Sequence, residues 1–269
     1  MPREQGLKFK YSTILENNEA ENMELLYLLP GTGMPPEEME RRTKIANSIS
    51  RPDTHVSVME VGEGPLSIES SIEEHMAIGP MLKKLLEIGK EGTYDAIIIG
   101  CAGDPGLTPA RELLDIPVIG PAESSYHFAC MLSDRFSILS ILHAGVAAED
   151  GSRTRLREMG LETRLASVEF VNVAVADMWG KNKEIVAKQM AEGAELAKKK
   201  GAGSIVLGCM SMAFLLLEDT VSQKVRIPIV NPLKTAIKTA EMFVELGAKH
   251  SRVTYPAADF DKLYKTVFA

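Results

Sequence analysis

The fold of this chain is decided by a short apolar stretch, Asp95-Ala96-Ile97-Ile98-Ile99-Gly100-Cys101. The residues between Asp95 and Gly100 are all apolar, which is typical of a parallel strand covered by helices on both faces of its sheet. Along the rest of the chain, similar short apolar runs alternate with longer amphipathic segments. This alternation predicts an α/β protein built from parallel, helix-covered sheets.

Each short apolar run is interpreted as a strand, and each amphipathic segment as a helix. The predicted strands are Glu24–Leu29, His55–Val61, Asp95–Gly100, Pro117–Gly120, Phe136–Ile141, Thr163–Val168, Ser204–Gly208 and Pro228–Val230. The predicted helices are Pro36–Ser50, Ser71–Ile88, Pro109–Leu114, Ala122–Leu132, Val146–Met159, Asn182–Lys200, Met210–Val221 and Leu233–Leu246. In the last of these helices the apolar residues recur at helical spacing, which gives it one buried stripe.

The stretch that ends at Cys101 has a second copy that ends at Cys209, Gly203-Ser204-Ile205-Val206-Leu207-Gly208-Cys209. Each copy is followed, at nearly the same distance, by an Ile-Pro strand and a second proline, Ile116–Pro121 in one case and Ile227–Pro232 in the other. The second proline suits the first position of a helix, where its missing N–H costs nothing. We interpret this pattern as a duplicated βαβα unit and expect two pseudo-symmetric lobes.

The duplication places Cys101 and Cys209 in equivalent positions. In open α/β sheets ligands bind beyond the carboxyl ends of the strands, where both cysteines are predicted to lie. The helix predicted after each cysteine is expected to lower the pKa of the thiol below its usual value of about 8.5. If the lobes face each other, one thiolate can remove a proton from a carbon while the other thiol returns a proton to its opposite face, which is two-base racemisation.

The alternative for each cysteine is a purely structural role. A single cysteine at a strand end is most often a small buried hydrophobic residue. That interpretation suits Cys130, which lies inside a predicted helix between Ala129 and Met131. It explains two equivalent cysteines less well, so we favour a functional role for Cys101 and Cys209.

The composition excludes several functional classes. The 269 residues carry 30 Lys and Arg against 37 Asp and Glu, a net charge of −7, without the basic run of a nucleic-acid or membrane binder. The 3 cysteines are far apart in sequence, so neither a disulfide framework nor a zinc site is expected. The polar N-terminus and the lack of a run long enough to span a bilayer favour a reduced, cytoplasmic setting. We expect a small-molecule substrate, neither nucleic acid nor membrane as a partner, and a homo-oligomer.

Several motifs around the cysteines resemble one enzyme family. The most specific is Gly100-Cys101-Ala102-Gly103-Asp104-Pro105-Gly106-Leu107, followed by Ala110-Arg111-Glu112. Further matches are Ser67-Ile68-Glu69-Ser70, Leu207-Gly208-Cys209-Met210, and Ala240-Glu241 with Leu246-Gly247. From about Glu24 to its end, the chain resembles the hydantoin racemase branch of the Asp/Glu racemase superfamily.

This resemblance implies a cofactor-independent racemase with Cys101 and Cys209 as the catalytic pair, in a cleft between two α/β lobes. By analogy, residues 1–22 form an N-terminal extension, residues 23–119 with 229–269 form lobe one, and residues 120–228 form lobe two. The implied substrate is a carbon acid next to a carbonyl, most simply a 5-substituted hydantoin or a related amino-acid derivative.

The sequence departs from the family pattern at three places. The loop after the first strand usually reads Asn-Pro-Asn-Thr, whereas here it is Leu29-Pro30-Gly31-Thr32. Ala102 follows the first cysteine where an aromatic residue is common, and Met210-Ser211 follows the second where Ala-Gly is usual. These positions line the pocket in relatives, so the departures bear mainly on substrate specificity.

The candidate substrate-binding residues lie in loops after predicted strands. The loop around Gly31 and Thr32 could offer N–H groups to a carbonyl or enolate oxygen, or it could be a plain turn. Glu123 and Ser140 follow strands where relatives carry pocket residues, although a role in helix capping is an equal alternative. Arg111 is expected at a solvated helix start. The full set of candidates is Pro30, Gly31, Thr32, Ser67, Ala102, Gly103, Glu123, Ser140, Met210 and Ser211.

Two other kinds of function remain open at this point. The same superfamily includes decarboxylases, which need one cysteine as a proton donor, and maleate-type isomerases, which use a cysteine as a nucleophile. A non-catalytic small-molecule-binding protein could also use this scaffold, although the two Gly-Cys pairs argue against it.

Overall fold

The computed structural model describes residues 22–142, 145–173, 178 and 182–267 of the chain. Apart from its last residue, the predicted N-terminal extension 1–22 lies outside the described residues. The described chain forms two four-stranded parallel sheets with helices on both faces, which confirms the predicted α/β class. None of the described helices is both long enough and apolar enough to cross a membrane.

The two sheets have the same strand order. The first sheet has the order β2-β1-β3-β4 and the second β6-β5-β7-β8, with every pairing parallel. The order repeats because the second half of the chain repeats the connections of the first half, as the sequence duplication predicts. The strands are β1 (Met23–Leu29), β2 (Thr54–Glu60), β3 (Ala96–Ile99), β4 (Val118–Ile119), β5 (Phe136–Ile141), β6 (Leu165–Val171), β7 (Ser204–Leu207) and β8 (Ile229–Val230).

The helices connect these strands and cover the sheets. They are α1 (Pro36–Ile49), α2 (Ser71–Glu91), α3 (Leu107–Leu113), α4 (Pro121–Leu132), α5 (Gly145–Glu158), α6 (Lys183–Lys199), α7 (Met210–Ala213), α8 (Glu218–Val225), α9 (Pro232–Glu245) and α10 (Phe260–Val267). All but α10 correspond to segments predicted from the amphipathic pattern, with α7 and α8 taking the place of one predicted helix.

The central strands are buried on both faces, which is why they are apolar throughout. On β1, Leu25 and Tyr27 pack in a cluster with side chains of α1 and α9, whereas Leu26 and Leu28 pack in a cluster with side chains of α2 and α3. All four side chains are fully buried. Complete burial of a side chain of this size stabilises the fold by about 1.5–3 kcal/mol.

The last helix of each sequence repeat packs on the other sheet. Helix α4 follows β4 of the first sheet but packs on β7 and β8 of the second, and α9 follows β8 of the second sheet but packs on β3 and β1 of the first. The two helices also pack against each other, where the hydroxyls of Ser125 and Thr235 are hydrogen-bonded at 2.7 Å. Pro121 and Pro232 occupy the first position of these helices. The boundaries of the two lobes, residues 23–119 with 229–269 and residues 120–228, remain a prediction.

The predicted helix Met210–Val221 is wrong, because the structure breaks it into α7 and α8. The residues between α7 and α8 are apolar, but they belong to two different hydrophobic clusters. Phe214 packs with Tyr27 in a cluster of the first sheet, and Leu215 packs in a cluster of the second sheet. The side chain of Asn231 donates a hydrogen bond to the carbonyl of Ala213 at the end of α7. Tertiary contacts therefore override the helical tendency of this segment.

The backbone conformation of the residue that ends α8 leads to a prediction about stability. Arg226 is exposed and has a left-handed backbone with φ 61°, a conformation that a side chain with a Cβ atom disfavours. We expect Arg226→Gly to raise the free energy of unfolding by about 1 kcal/mol in urea titrations. The matched variant Lys224→Gly, inside the same helix, should lower the free energy of unfolding by about 1 kcal/mol. A loss of stability in both variants would contradict this account of Arg226.

Candidate active site

A cavity of about 1230 Å³ opens at the carboxyl ends of the strands of both sheets. Cys101 follows β3 and Cys209 follows β7, and both cysteines line this cavity. Every candidate substrate-binding residue of the sequence analysis lines it as well: Pro30, Gly31, Thr32, Ser67, Ala102, Gly103, Glu123, Ser140, Met210 and Ser211.

The glycine before each cysteine allows the strand end to lie against its neighbour. A Cβ atom on Gly100 would lie 2.7 Å from the carbonyl oxygen of Leu28 and 2.9 Å from the ring of Tyr27. A Cβ atom on Gly208 would lie 2.8 Å from the side chain of Ile138. All three distances are shorter than a carbon atom tolerates, so the Gly-Cys pairs have a steric reason to contain glycine.

Cys101 is a half-buried thiol in a turn. Its sulfur accepts a hydrogen bond of 3.4 Å from the backbone N–H of Gly103. Burial raises the pKa of this thiol to about 12, against the lowering effect of the Gly103 N–H; Glu74 raises the pKa further and Arg155 lowers it. The expectation that a helix lowers the pKa of Cys101 is wrong, because α3 begins only at Leu107 and burial dominates.

Cys209 is half-buried directly before α7. Burial raises the pKa of its thiol, and the opposing influences are the N–H groups of Met212 and Ser211, the guanidinium of Arg42 and the hydroxyl of Ser211. The expected lowering is wrong here too, since desolvation of a thiolate outweighs these contacts. A thiolate with a raised pKa is a stronger base, which suits removal of a proton from a weakly acidic carbon.

The loop after β1 is a turn whose N–H groups are bonded within the protein. The N–H of Gly31 donates to the carbonyl of Leu29 at 2.9 Å, and that of Thr32 donates to the carbonyl of Pro65 at 3.3 Å. A Cβ atom on Gly31 would lie 2.5 Å from the same Pro65 oxygen. Of the two interpretations of this loop, the bonding of these two N–H groups favours the plain turn.

Four further candidate substrate-binding residues, Ser67, Ser140, Ala102 and Met210, differ in burial and in hydrogen bonding. The hydroxyl of Ser67 donates to the carboxylate of Glu69 at 2.8 Å. Ser140 is buried in β5, while Ala102 and Met210 are buried next to the cysteines. The last two therefore present little more than backbone and apolar surface to the cavity.

The expectation that Arg111 is solvated is wrong. Its side chain is buried, donates two hydrogen bonds of 3.1 Å to the carbonyl of Val118, and forms an ion pair with the carboxylate of Glu123. Arg111 also donates to the hydroxyl of Tyr255 at 3.2 Å. The carboxylate of Glu123 is thus held by an arginine at the cavity wall rather than capping α4.

The capping group of α4 is Asp104, whose Asp-Pro sequence is typical of a turn or a helix cap. Its carboxylate accepts hydrogen bonds from the N–H groups of Ala122 at 2.9 Å and Glu123 at 2.8 Å. Burial nevertheless raises the pKa of Asp104 to about 6. The cap is not local, because the helix that Asp104 caps begins only at Pro121.

Two further arginines line the cavity without having been predicted. Arg42 of α1 is buried near Cys209, and Arg155 of α5 lies near Cys101. Arg155 donates to the carboxylate of Glu74 at 3.3 Å, and its Nε has no partner among the described residues. Both arginines belong to amphipathic helices whose sequences resemble ordinary solvated surfaces, so no sequence signal marked them.

No group of three or more His, Cys, Asp or Glu side chains in the described ranges is arranged to hold a metal ion. The chemistry available at the cavity is that of two thiols, several carboxylates and three buried or half-buried guanidinium groups.

Comparisons with known proteins agree with this geometry. The sequence model of the Asp/Glu/Hydantoin racemase family matches residues 37–240. The chain is similar to a hydantoin racemase of Pseudomonas sp. (strain NS671), with 32% identity over 77% of this chain and 81% of the relative. It is similar in structure to an allantoin racemase from Pseudomonas fluorescens, with a TM-score of 0.78 and 25% identity over 88% of this chain and 97% of that one. Arylmalonate decarboxylase shares the fold, with a TM-score of 0.56 and 15% identity over 89% of this chain and 99% of that one.

The buried carboxyl of Asp104 makes stability depend on pH. The pKa of Asp104 is about 6 in the fold and about 3.9 in an unfolded chain. The protonated carboxyl therefore contributes to the free energy of unfolding below pH 4, and this contribution is lost as the pH rises through 6. We expect the stability difference between the native chain and Asp104→Asn to fall by about 2–3 kcal/mol between pH 4 and pH 7.

Urea titrations of both proteins across this range measure that difference. Asp53→Asn is the control, since its partly exposed carboxyl is paired with Arg51 and has a lowered pKa, which gives a pH dependence of opposite sign. A stability difference for Asp104→Asn that does not change with pH would contradict the assignment.

Proposed function

Because the chain belongs to the Asp/Glu/Hydantoin racemase family, and is a racemase of the isomerase class, we propose that it racemises a carbon acid next to a carbonyl with Cys101 and Cys209 as the two bases. The proposed reaction needs no cofactor. The proposed substrate is a 5-substituted hydantoin or a related amino-acid derivative, as the names of the hydantoin and allantoin racemases suggest.

The observation that carries the proposal is the placement of two equivalent thiols at one cavity. Each follows a glycine at the carboxyl end of a central strand, one from each sheet, and both line the same space. In the proposed reaction one thiolate accepts the proton on the stereogenic carbon, and the electron pair moves towards the carbonyl oxygen. The other thiol then donates its proton to the opposite face of the carbon, and the charge returns to sulfur, so that the configuration is inverted with no net change in atoms.

The surroundings of the thiols support a role as carbon bases. Burial raises both pKa values, and a more basic thiolate reduces the gap in acidity between a thiol and a carbon next to a carbonyl. The N–H groups of Gly103, Ser211 and Met212 face the sulfurs and can steady the charge on whichever one is ionised.

The cavity is larger than a hydantoin ring, and apolar side chains lie along part of its wall. Leu66, Ile68 and Ile78 are among the lining residues, and the side chain of Leu66 is strongly exposed. A substituent on the ring carbon would fit against this apolar surface. We therefore place the substrate ring next to the cysteines, against Ala102, Gly103, Met210 and Ser211, with Pro30, Gly31, Thr32, Ser67, Glu123 and Ser140 around it.

The two-base mechanism predicts a specific loss of activity. Cys101→Ser and Cys209→Ser should each reduce racemisation by at least about 10²-fold, since a positioned acid or base contributes about 10²–10⁴-fold. In D₂O each variant should still exchange the α-proton of one enantiomer, because the remaining thiol reaches only one face. Optical rotation and deuterium uptake, followed with single enantiomers of hydantoins and of allantoin, measure the two effects.

Cys130→Ser is the matched control, because Cys130 lies in α4 away from the cavity lining and should not affect turnover. Full racemisation by either of the other variants would disprove the two-base assignment. In the same assay, loss of CO₂ from an arylmalonate would favour a decarboxylase, isomerisation of maleate would favour that alternative, and tight binding without any turnover would favour a binding protein.

A further inference from the structure

The two thiols at the cavity have different electrostatic surroundings, although the duplication places them equivalently. Next to Cys209 lies Arg42, which reaches over from α1 and is almost completely buried. Its guanidinium lies 4.7 Å from the centre of the Phe214 ring. Its Nη2 donates a hydrogen bond of 3.1 Å to the hydroxyl oxygen of Ser211.

Ser211 is the second residue after Cys209, in the first turn of α7, and its hydroxyl is bonded to this arginine. A hydroxyl that accepts a hydrogen bond can still donate its own proton, and the Ser211 hydroxyl lowers the pKa of the Cys209 thiol, as does the Arg42 guanidinium. The guanidinium and the hydroxyl therefore act on Cys209 as one hydrogen-bonded pair. We call these three residues the Arg42–Ser211–Cys209 relay.

The charge of Arg42 is only partly compensated by its carboxylate partner. Glu38 accepts from Arg41 at 2.6 Å and from Arg42 at 2.8 Å, so two guanidinium groups share one carboxylate. These three side chains together carry a net charge of +1. Because the site is partly desolvated, that charge acts on Cys209 more strongly than it would in water.

Cys101 has the opposite kind of neighbour. A Cβ atom on Gly103 would lie 3.5 Å from both the Cys101 sulfur and the Oε1 of Glu74, which places this carboxylate oxygen on the same side of Gly103 as the thiol. Arg155 also faces Cys101, but it is paired with Glu74 at 3.3 Å. Asp104 adds a second acidic group near this cysteine.

One titratable group faces both thiols. Tyr27 of β1 is fully buried, and its hydroxyl donates to the carbonyl of Gly100 at 3.2 Å. Burial raises the pKa of Tyr27 well above its usual value, so the phenol stays neutral and favours neither cysteine. The difference between the two sites therefore comes from the relay on one side and from Glu74 and Asp104 on the other.

We propose that Arg42 and Ser211 are positioning residues that place the negative charge of the singly ionised cysteine pair on Cys209, while Cys101 beside Glu74 keeps the proton. This inference rests on the proposed function and deepens it, because it assigns the first base and the first acid of the same pair. The enantiomer whose proton faces Cys209 is then converted directly. The opposite enantiomer requires a prior transfer of the proton from Cys101 to Cys209.

The order of ionisation can be measured without any substrate. Each cysteine of the native chain is alkylated with iodoacetamide at a series of pH values, and the rate at each site is read by mass spectrometry of its peptide. Only the thiolate reacts, so each rate profile reports the pKa of its own thiol. We expect Cys209 to react at a lower pH than Cys101, with Cys130 as an internal reference.

Variants of the relay separate its role from general damage to the fold. Ser211→Ala should slow alkylation of Cys209 by about tenfold below its pKa, which corresponds to a rise of about one pKa unit, and leave Cys101 unchanged. Ser211→Thr keeps the hydroxyl and should restore the native profile. Arg42→Met should act in the same direction as Ser211→Ala, whereas Lys44→Met, an exposed cation on the same helix, should leave both profiles unchanged.

Two results would overturn the inference: ionisation of Cys101 before Cys209 in the native chain, or an unchanged Cys209 profile in Ser211→Ala. Failure of the proposed function is a separate outcome, because it is defined by racemisation that survives in Cys101→Ser or Cys209→Ser. If both of those variants are inactive and the alkylation profiles do not follow the predicted order, only the role of the relay is disproved.

Discussion

The close approach of two backbones at the end of each central strand determines how this molecule presents its thiols. The N–H of Gly100 donates to the carbonyl of Leu28 at 2.7 Å, and the N–H of Gly208 donates to that of Leu139 at 2.8 Å. Each bond continues the ladder of a parallel sheet past its last strand residue. A Cβ atom would collide with the Leu28 carbonyl at Gly100 and with the Ile138 side chain at Gly208. The next residue therefore leaves the sheet at a fixed point, and in both sheets that residue is a cysteine.

Near Cys101 and Cys209 the wall of the cavity contains ion pairs. Arg42 is paired with Glu38, Arg111 with Glu123, and Arg155 with Glu74. A buried guanidinium without a carboxylate would cost several kcal/mol, so each arginine depends on its partner. Two of the pairs also connect separate elements: Arg155 of α5 reaches α2, and Arg111 of α3 reaches α4. The wall is thus held in place by contacts that also set the electrostatic potential at the thiols.

The sequence predicted the architecture well, because burial on both faces and a duplicated Gly-Cys pattern are local signals. The strands, the equivalent cysteines and the family resemblance are all confirmed, the last by the match to residues 37–240. The errors concern properties that arise only when distant segments meet. Arg111 is polar in sequence and buried in the fold, and the pKa of Cys101 depends on a desolvation that no neighbouring residue encodes. The break after Ala213 has the same origin, since Phe214 is drawn towards Tyr27 of the other sheet.

The exchange of α4 and α9 between the two sheets has a consequence for how such a chain can arise. If the chain were cut between its repeats, each half would carry a sheet together with a helix that packs on the other half. Two identical halves would then associate as a domain-swapped dimer, with the two-fold axis passing between the exchanged helices. That dimer would already hold two identical thiols in the lining of one cavity. In a single fused chain the two halves can differ in sequence. One site could then acquire a serine and an arginine near its cysteine, and the other a glutamate.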